Sequence, residues 1–222
     1  MATPRSVLFD WRGTLVVTLT EQGWAHRALE RLGRAGGPDA AREVVRRIEA
    51  VPEVERLWGP GVDTDAELHR AAYFQVFAAA GLDDDLAGAL YDVESDWRCN
   101  PFAADAVPVL HALARRGVRV AVISDIHFDI RPAFAAAGLD SLVELFVLSF
   151  EHGVQKPDPA IFRRAIDGLG VAPAEALMVG DRAAYDGRAV DVGIPTLLVP
   201  PLTGVEDRRL HLVNALLAAP SR

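Results

Sequence analysis

The sequence predicts an α/β fold in which a parallel sheet, covered by helices on both faces, is interrupted by an inserted helical segment. Three observations predict it. From about residue 98 onward, apolar runs of strand length alternate with segments whose apolar residues recur at helical spacing. Strands separated by helices in this way pair in parallel through right-handed crossovers. The runs are almost continuously apolar, as a sheet buried on both faces requires. One further apolar run stands near the N-terminus, separated from the others by residues 16–97, which hold no convincing strand.

That first run, Val7-Leu8-Phe9, reads as a strand and stops on Asp10. A carboxylate at the end of a buried strand is costly unless something uses it. Within 16–97, Trp24, Ala28, Leu29 and Leu32, then Val44, Val45 and Ile48, recur at helical spacing. "AELHRAAYFQVFAAAGL" continues the pattern to a stop at Gly81, and "DDDLAGALYDVESDW" opens with acids that suit a helix N-terminus. About four helices result. Trp24, Tyr73, Phe74, Phe77 and Trp97 read as their core, and "LWGPGVD" as an ordinary helix connection. A lone strand cannot stand by itself, so Val7-Leu8-Phe9 joins the later sheet and the helices are an insertion.

In the second half, 107–116 is helical and Gly117 ends it. "VRVAVISD" is a strand, 132–137 a short helix closed by Gly138, and "LFVLSF" a strand. "DPAIFRRAIDGLG" is a helix with Pro159 near its first turn. "ALMVGD" is a strand, "DGRAVDVG" a short helix, "IPTLLVP" a strand and 206–217 a last helix. The expected domains are 1–15 with 98–222 as the α/β core, and 16–97 as the helical insertion.

The chain has 222 residues, enough for one core with an inserted smaller domain. Its net charge of -8, from 23 basic and 31 acidic residues, lacks the basic footprint of a nucleic-acid binder. Cys99 is the single cysteine, which excludes an internal disulfide and points to a reducing cytoplasm. The N-terminal apolar stretch is too short for a signal peptide, and no window is long enough to cross a bilayer. The expectation is a cytoplasmic protein with a small-molecule partner, and with neither nucleic acid nor membrane. Oligomeric state is not legible.

In an open parallel sheet, ligands bind at the carboxyl ends of the strands. Four strands end in polar residues here: Asp10, Ser124 with Asp125, Glu151 followed by Lys156, and Asp181. Taken singly, each has an ordinary reading as a turn, cap or solvated residue. Brought side by side, they form one crevice. Grouped carboxylates repel unless a cation sits among them, and hard oxygen ligands suit Mg²⁺. A lysine and a hydroxyl aimed at the same spot hold phosphate oxygens. A metal-flanked Asp can act as a nucleophile.

"FDWRGTL", "VISD", "QKPDPAIF" and "MVGDRAAYDGRAVDVG" resemble, in order and spacing, the four motifs of the haloacid dehalogenase-like hydrolases. The resemblance covers 1 to about 15 and about 98 to the end, and the insertion matches the family's α-helical cap in position and size. It implies a Rossmann-like core, Mg²⁺ and an aspartyl-phosphate intermediate on a small phosphorylated substrate. Carried over by position, Asp10 would be the nucleophile. Thr14 and Ser124, with Asp125 beside it, would bind the transferred group. Lys156 would hold the nucleophile and phosphate. Asp10, Asp181 and Asp186 would hold the metal, together with the backbone carbonyl of Arg12.

Phosphatases of this family carry a second Asp two residues after the nucleophile, which protonates the leaving alcohol. Here that residue is Arg12. Arginine stays protonated and exchanges no proton near neutral pH. Its fork can bind an anionic substrate, or it can turn to a cap carboxylate. Three readings follow. The first is a Mg²⁺-dependent phosphatase or phosphotransferase with impaired or relocated acid–base function, with His26 or His69 of the insertion as alternative proton sources. The second is a 2-haloacid dehalogenase, whose branch of the family has no acid at this position but also weakens the Asp181/Asp186 pair to neutral residues. The third is a binding protein that keeps the fold without turnover.

Overall fold

The computed structural model describes residues 4–34 and 36–218. Five strands, β1 (Ser6–Phe9), β2 (Arg119–Ser124), β3 (Leu145–Leu148), β4 (Ala176–Gly180) and β5 (Thr196–Leu198), form one sheet in the order β3-β2-β1-β4-β5. Every pairing is parallel, with Phe9 opposite both Val122 and Val179. β1, alone in sequence, is thus the central strand. Alternate residues face opposite sides of a strand. Val7, Phe9, Val120, Val122, Leu177 and Val179 enter one apolar cluster, and Leu8, Ala121, Ile123, Ala176 and Met178 enter the other.

The helices of the core follow the expected alternation: α5 (Ala106–Arg115), α6 (Arg131–Ala136), α7 (Ser149–His152), α8 (Pro159–Leu169) and α9 (His211–Ala218). Between β1 and α5 lie α1 (Glu21–Arg31), α2 (Gly37–Glu49), α3 (Ala66–Ala79) and α4 (Asp84–Glu94). These four bury an apolar cluster of their own, which includes Ala28, Val45, Tyr73, Phe77 and Leu90. The fold is a Rossmann-like core with an inserted α-helical cap. Among the described residues no helix is long and apolar enough to cross a membrane.

Three boundaries differ from expectation, each for a local reason. "LFVLSF" leaves the sheet after Leu148, because the Ser149 hydroxyl accepts from Ile126 N at 2.8 Å and lies 2.6 Å from the Asp63 carbonyl. Residues 186–192 form a 3₁₀ rather than an α-helix. The last helix begins at His211, not near 206. The Asp207 carboxylate folds back on the amides of Thr203 and Gly204. Asp105, from another part of the core, accepts from the amides of Arg209 and Leu210. Asp105 therefore fixes the turn that leads into the helix. Asp105→Ala is expected to cost about 1–3 kcal/mol in urea unfolding, because it leaves two buried amides without their acceptor.

Arg209 then reaches back across the molecule. Its guanidinium donates to the carbonyls of Gly13 at 3.1 Å and Thr14 at 2.6 Å, and also to that of Pro200. It clamps the loop that follows β1 from behind.

Candidate active site

The carboxyl ends of β1, β2 and β4 converge with the loop before α8, and Asp10, Ser124, Asp125, Lys156 and Asp181 meet there, whereas Glu151 turns away to pair with Arg131 at 2.7 Å. Lys156 is fully buried, and its Nζ donates to Asp10 Oδ1 at 2.5 Å and to Asp186 Oδ1 at 2.6 Å. Asp10 is 3% exposed, and its second oxygen, Oδ2, has no hydrogen-bond partner. Carboxylate oxygens of Asp10, Asp181 and Asp186 all lie within 4.8 Å of one another. Thr14 donates to Asp181 Oδ1 at 3.2 Å, and Arg182 N donates to Asp186 Oδ2 at 2.9 Å.

Two glycines make this packing possible. A Cβ on Gly180 would lie 2.3 Å from Asp186 Cγ. One on Gly13, where φ is +83°, would lie 2.6 Å from Asp181 Oδ2. No larger residue fits either place without moving a carboxylate.

Burial pushes the Asp10 carboxyl up to about 7; Asp186 adds to that rise and Lys156 opposes it. Burial works against the Lys156 ammonium, but Asp10, Asp186 and Asp125 outweigh it and raise its pKa. Burial also raises Asp181, with the Asp186 charge as the second cause. These directions describe a carboxylate cluster short of positive charge.

Ser124 is buried at the end of β2 and lines the cleft. Asp125 beside it turns inward: Oδ1 accepts from Lys156 N at 2.8 Å, and Oδ2 accepts from Arg182 Nη2 at 3.3 Å. Both oxygens are thus spent on positioning cations and amides rather than left open toward an anion.

Arg12 points to the cap. Its Nη1 pairs with the Glu94 carboxylate, Nη2 donates to the Glu94 carbonyl at 2.7 Å, and Nε donates to Asn100 Oδ1 at 3.3 Å. Burial lowers its pKa, and Glu94 outweighs burial to raise it, so the guanidinium stays charged. Arg12 therefore ties the end of α4 to the loop that carries Asp10.

A cleft of about 490 Å³ opens between core and cap over this cluster. Leu57, Trp58 and Asp63 line it, so "LWGPGVD" is cleft wall rather than a plain helix connection. Trp24 and Tyr73 also line it while packing on the cap core. His69 reaches the cleft, whereas His26 is exposed on α1 and pairs with Glu30 at 3.3 Å. Burial, together with His127, lowers the His69 pKa to about 3, so its ring is neutral at pH 7 and cannot supply a proton there.

Sequence reasoning missed several residues: Arg182, Glu94, Asn100 and Arg209. Arg182, 45% exposed, lies over the Tyr185 ring at 4.1 Å, and both face the cleft. Its signal was present, because it follows Asp181 directly in "VGDRAAYD". Glu94, Asn100 and Arg209 lie 82, 88 and 196 residues from their partners Arg12 and Gly13, and carry no local signal.

A family model described as haloacid dehalogenase-like hydrolase matches residues 4–190. The chain is 30% identical over 206 residues to a phosphoglycolate phosphatase of Rhodospirillum rubrum, covering 88% of this chain and 79% of that protein. It is 39% identical over 89 residues to a phosphoserine phosphatase of Thermus thermophilus, a match spanning 40% of this chain but only 36% of that protein's length. Among solved structures, the L-2-haloacid dehalogenase of Xanthobacter autotrophicus superposes with a TM-score of 0.66 at 23% identity, covering 97% of this chain and 84% of that one.

Proposed function

The chain belongs to the haloacid dehalogenase-like hydrolases, and within that family we propose that it is a Mg²⁺-dependent phosphatase or phosphotransferase acting on a small phosphorylated metabolite. The observation that carries this reading is the Lys156 ammonium fixed between Asp10 and Asp186, beside Asp181, with one Asp10 oxygen left buried and unpartnered. The fold likeness to a dehalogenase does not separate the two chemistries. The paired acids Asp181 and Asp186 favour phosphoryl transfer.

Lys156 orients Asp10 through Oδ1 and leaves Oδ2 to attack phosphorus. As the Oδ2–P bond forms, the P–O bond to the leaving group breaks, and that group departs with the electron pair as an alkoxide or aryloxide that takes its proton from solvent. Ser124 lines the cleft, where its hydroxyl can donate to a phosphoryl oxygen, whereas the Thr14 hydroxyl is turned to Asp181; Lys156 balances the phosphoryl charge. Asp125 keeps Lys156 in place. Water then attacks phosphorus, phosphate leaves, and Asp10 is regenerated. Arg182 supplies a cation at the cleft for the anionic substrate.

The donor set fits Mg²⁺: three carboxylates with oxygens inside 4.8 Å and only one ammonium, Lys156, among them are hard ligands short of counter-charge. Asp10, Asp181, Asp186 and the Arg12 carbonyl would hold it. Bound there, Mg²⁺ would offset the negative charge of the transferred group.

Arg12 neither gives nor takes a proton, so leaving groups that need none are preferred. The test is hydrolysis of an aryl phosphate against an alkyl phosphate, each with Mg²⁺ and with chelator. The aryl ester is expected to turn over about 10²-fold faster or more, and only with metal. Equal rates would sink the missing-acid reading. Activity under chelator would sink the metal. Chloride release from 2-chloropropionate under chelator would put dehalogenation in its place.

A further inference from the structure

We propose that Asp63, His69 and His127 form a second metal site, for a zinc-type divalent transition-metal ion, at the seam between cap and core. Asp63 stands on the 3₁₀ turn Val62–Thr64, His69 on α3, and His127 in the loop after β2. One atom of each lies within 4.8 Å of the other two. The proposal does not depend on the phosphatase reading, because it uses none of the same side chains.

The separations are those of ligands, not of hydrogen-bond partners. His69 Nε2 lies 3.7 Å and His127 Nδ1 lies 3.9 Å from the same oxygen, Asp63 Oδ1. Both exceed hydrogen-bond range. Four ligands at zinc's usual distance of about 2.0–2.1 Å lie about 3.3 Å apart. The two nitrogen–oxygen separations exceed that spacing by only about 0.5 Å.

His69 is 2% exposed and His127 4%. His127 Nδ1, aimed at Asp63, has no hydrogen-bond partner. A merely structural buried histidine places both ring nitrogens. Here the far nitrogen of each ring is placed and the near one is not. His69 Nδ1 meets the Tyr91 hydroxyl at 3.2 Å, and His127 Nε2 meets the Ser95 hydroxyl at 2.9 Å. Such outer partners set the tautomer and orientation of metal-binding histidines. The turn bearing Asp63 is fixed as well, by Gln155 Oε1 on its amide at 3.2 Å and Ser149 on its carbonyl.

The two imidazoles stack at 3.4 Å between centroids and 10° between planes. Ligation uses the in-plane lone pair, so a bound ion requires the rings to tilt apart around it. Two imidazoles with one carboxylate select zinc-type ions, whereas the all-carboxylate cluster around Asp10 selects Mg²⁺. Because the ligands come from both domains, an ion there would fasten the cap to the core.

The experiment is titration of chelator-treated full-length protein with Co²⁺ in excess Mg²⁺, followed by visible absorption, then displacement with Zn²⁺. One Co²⁺ with d–d bands is expected, bleached by Zn²⁺ and retained in Asp181→Asn. His69→Ala and His127→Ala should each lose it. Tyr91→Phe, a milder change, should weaken affinity about 10–100-fold. Circular dichroism establishes that each variant is folded. Absence of the bands in the folded natural chain would overturn the proposal. So would bands that survive both histidine changes, or that vanish in Asp181→Asn.

Discussion

Arg12→Asp combined with Glu94→Gln is expected to raise turnover of an alkyl phosphate by about 10²–10⁴-fold, the range that a positioned acid–base group supplies. The double change follows from where Arg12 points. Its guanidinium is bound to Glu94 at the end of α4. Arg12→Asp alone would set a second carboxylate against Glu94, raise the pKa of one of them, and break the tie between cap and loop. The single variant should therefore gain less than the double. The measurement is kcat on alkyl and aryl phosphates for both variants. An unchanged alkyl rate in the double variant, with aryl activity retained, would mean that proton donation is not what limits this enzyme.

Lys156→Met is expected to lower unfolding free energy by about 3–5 kcal/mol in chelator, as breaking a buried ion pair from one side does. The methylene stem is replaced, so what is lost is the charge between Asp10 and Asp186. Part of the loss should return on adding Mg²⁺. Its pH dependence has a definite sign. Asp10 lies at about 7 in the folded chain against an ordinary 3.8. A raised carboxyl contributes stability that is intact below 3.8 and lost as pH rises through 7. Without Lys156 the folded value rises further: both chains lose stability in parallel up to about 7, and only the variant goes on losing it above, so its deficit should be constant in acid and grow as pH rises beyond 7. Urea unfolding across that window checks it. A deficit independent of pH would point to lost packing instead of lost charge.

The strands and their order along the chain were legible because a doubly covered sheet writes continuous apolar runs, as in Val120–Ile123 and Leu177–Val179. So were Asp10, Lys156 and Asp181, which follow strand ends, whereas Asp186 was legible only through the family resemblance of "VGDRAAYDG". The four cap helices could be read from their periodicity, but not which face turned to the cleft. "LWGPGVD" has loop composition whether it lies over solvent or over a site. Arg12 showed that an acid was absent, and only the fold could show Glu94 as its partner, since the two are 82 residues apart. The start of the last helix was misplaced because the turn before it is held by Asp105, over a hundred residues away.

The clamp of Arg209 on Gly13 and Thr14 has a consequence for biosynthesis. β1 is made first, yet both of its neighbours in the sheet and the side chain that braces its loop are made much later. During translation the first strand has nothing to pair with while the whole cap emerges and can condense on its own apolar cluster. Contacts this distant close slowly, so the nascent chain can hold an ordered cap on an unfinished core until Arg209 has left the ribosome. The crevice over Asp10 is closed from behind only once the chain has been made as far as Arg209.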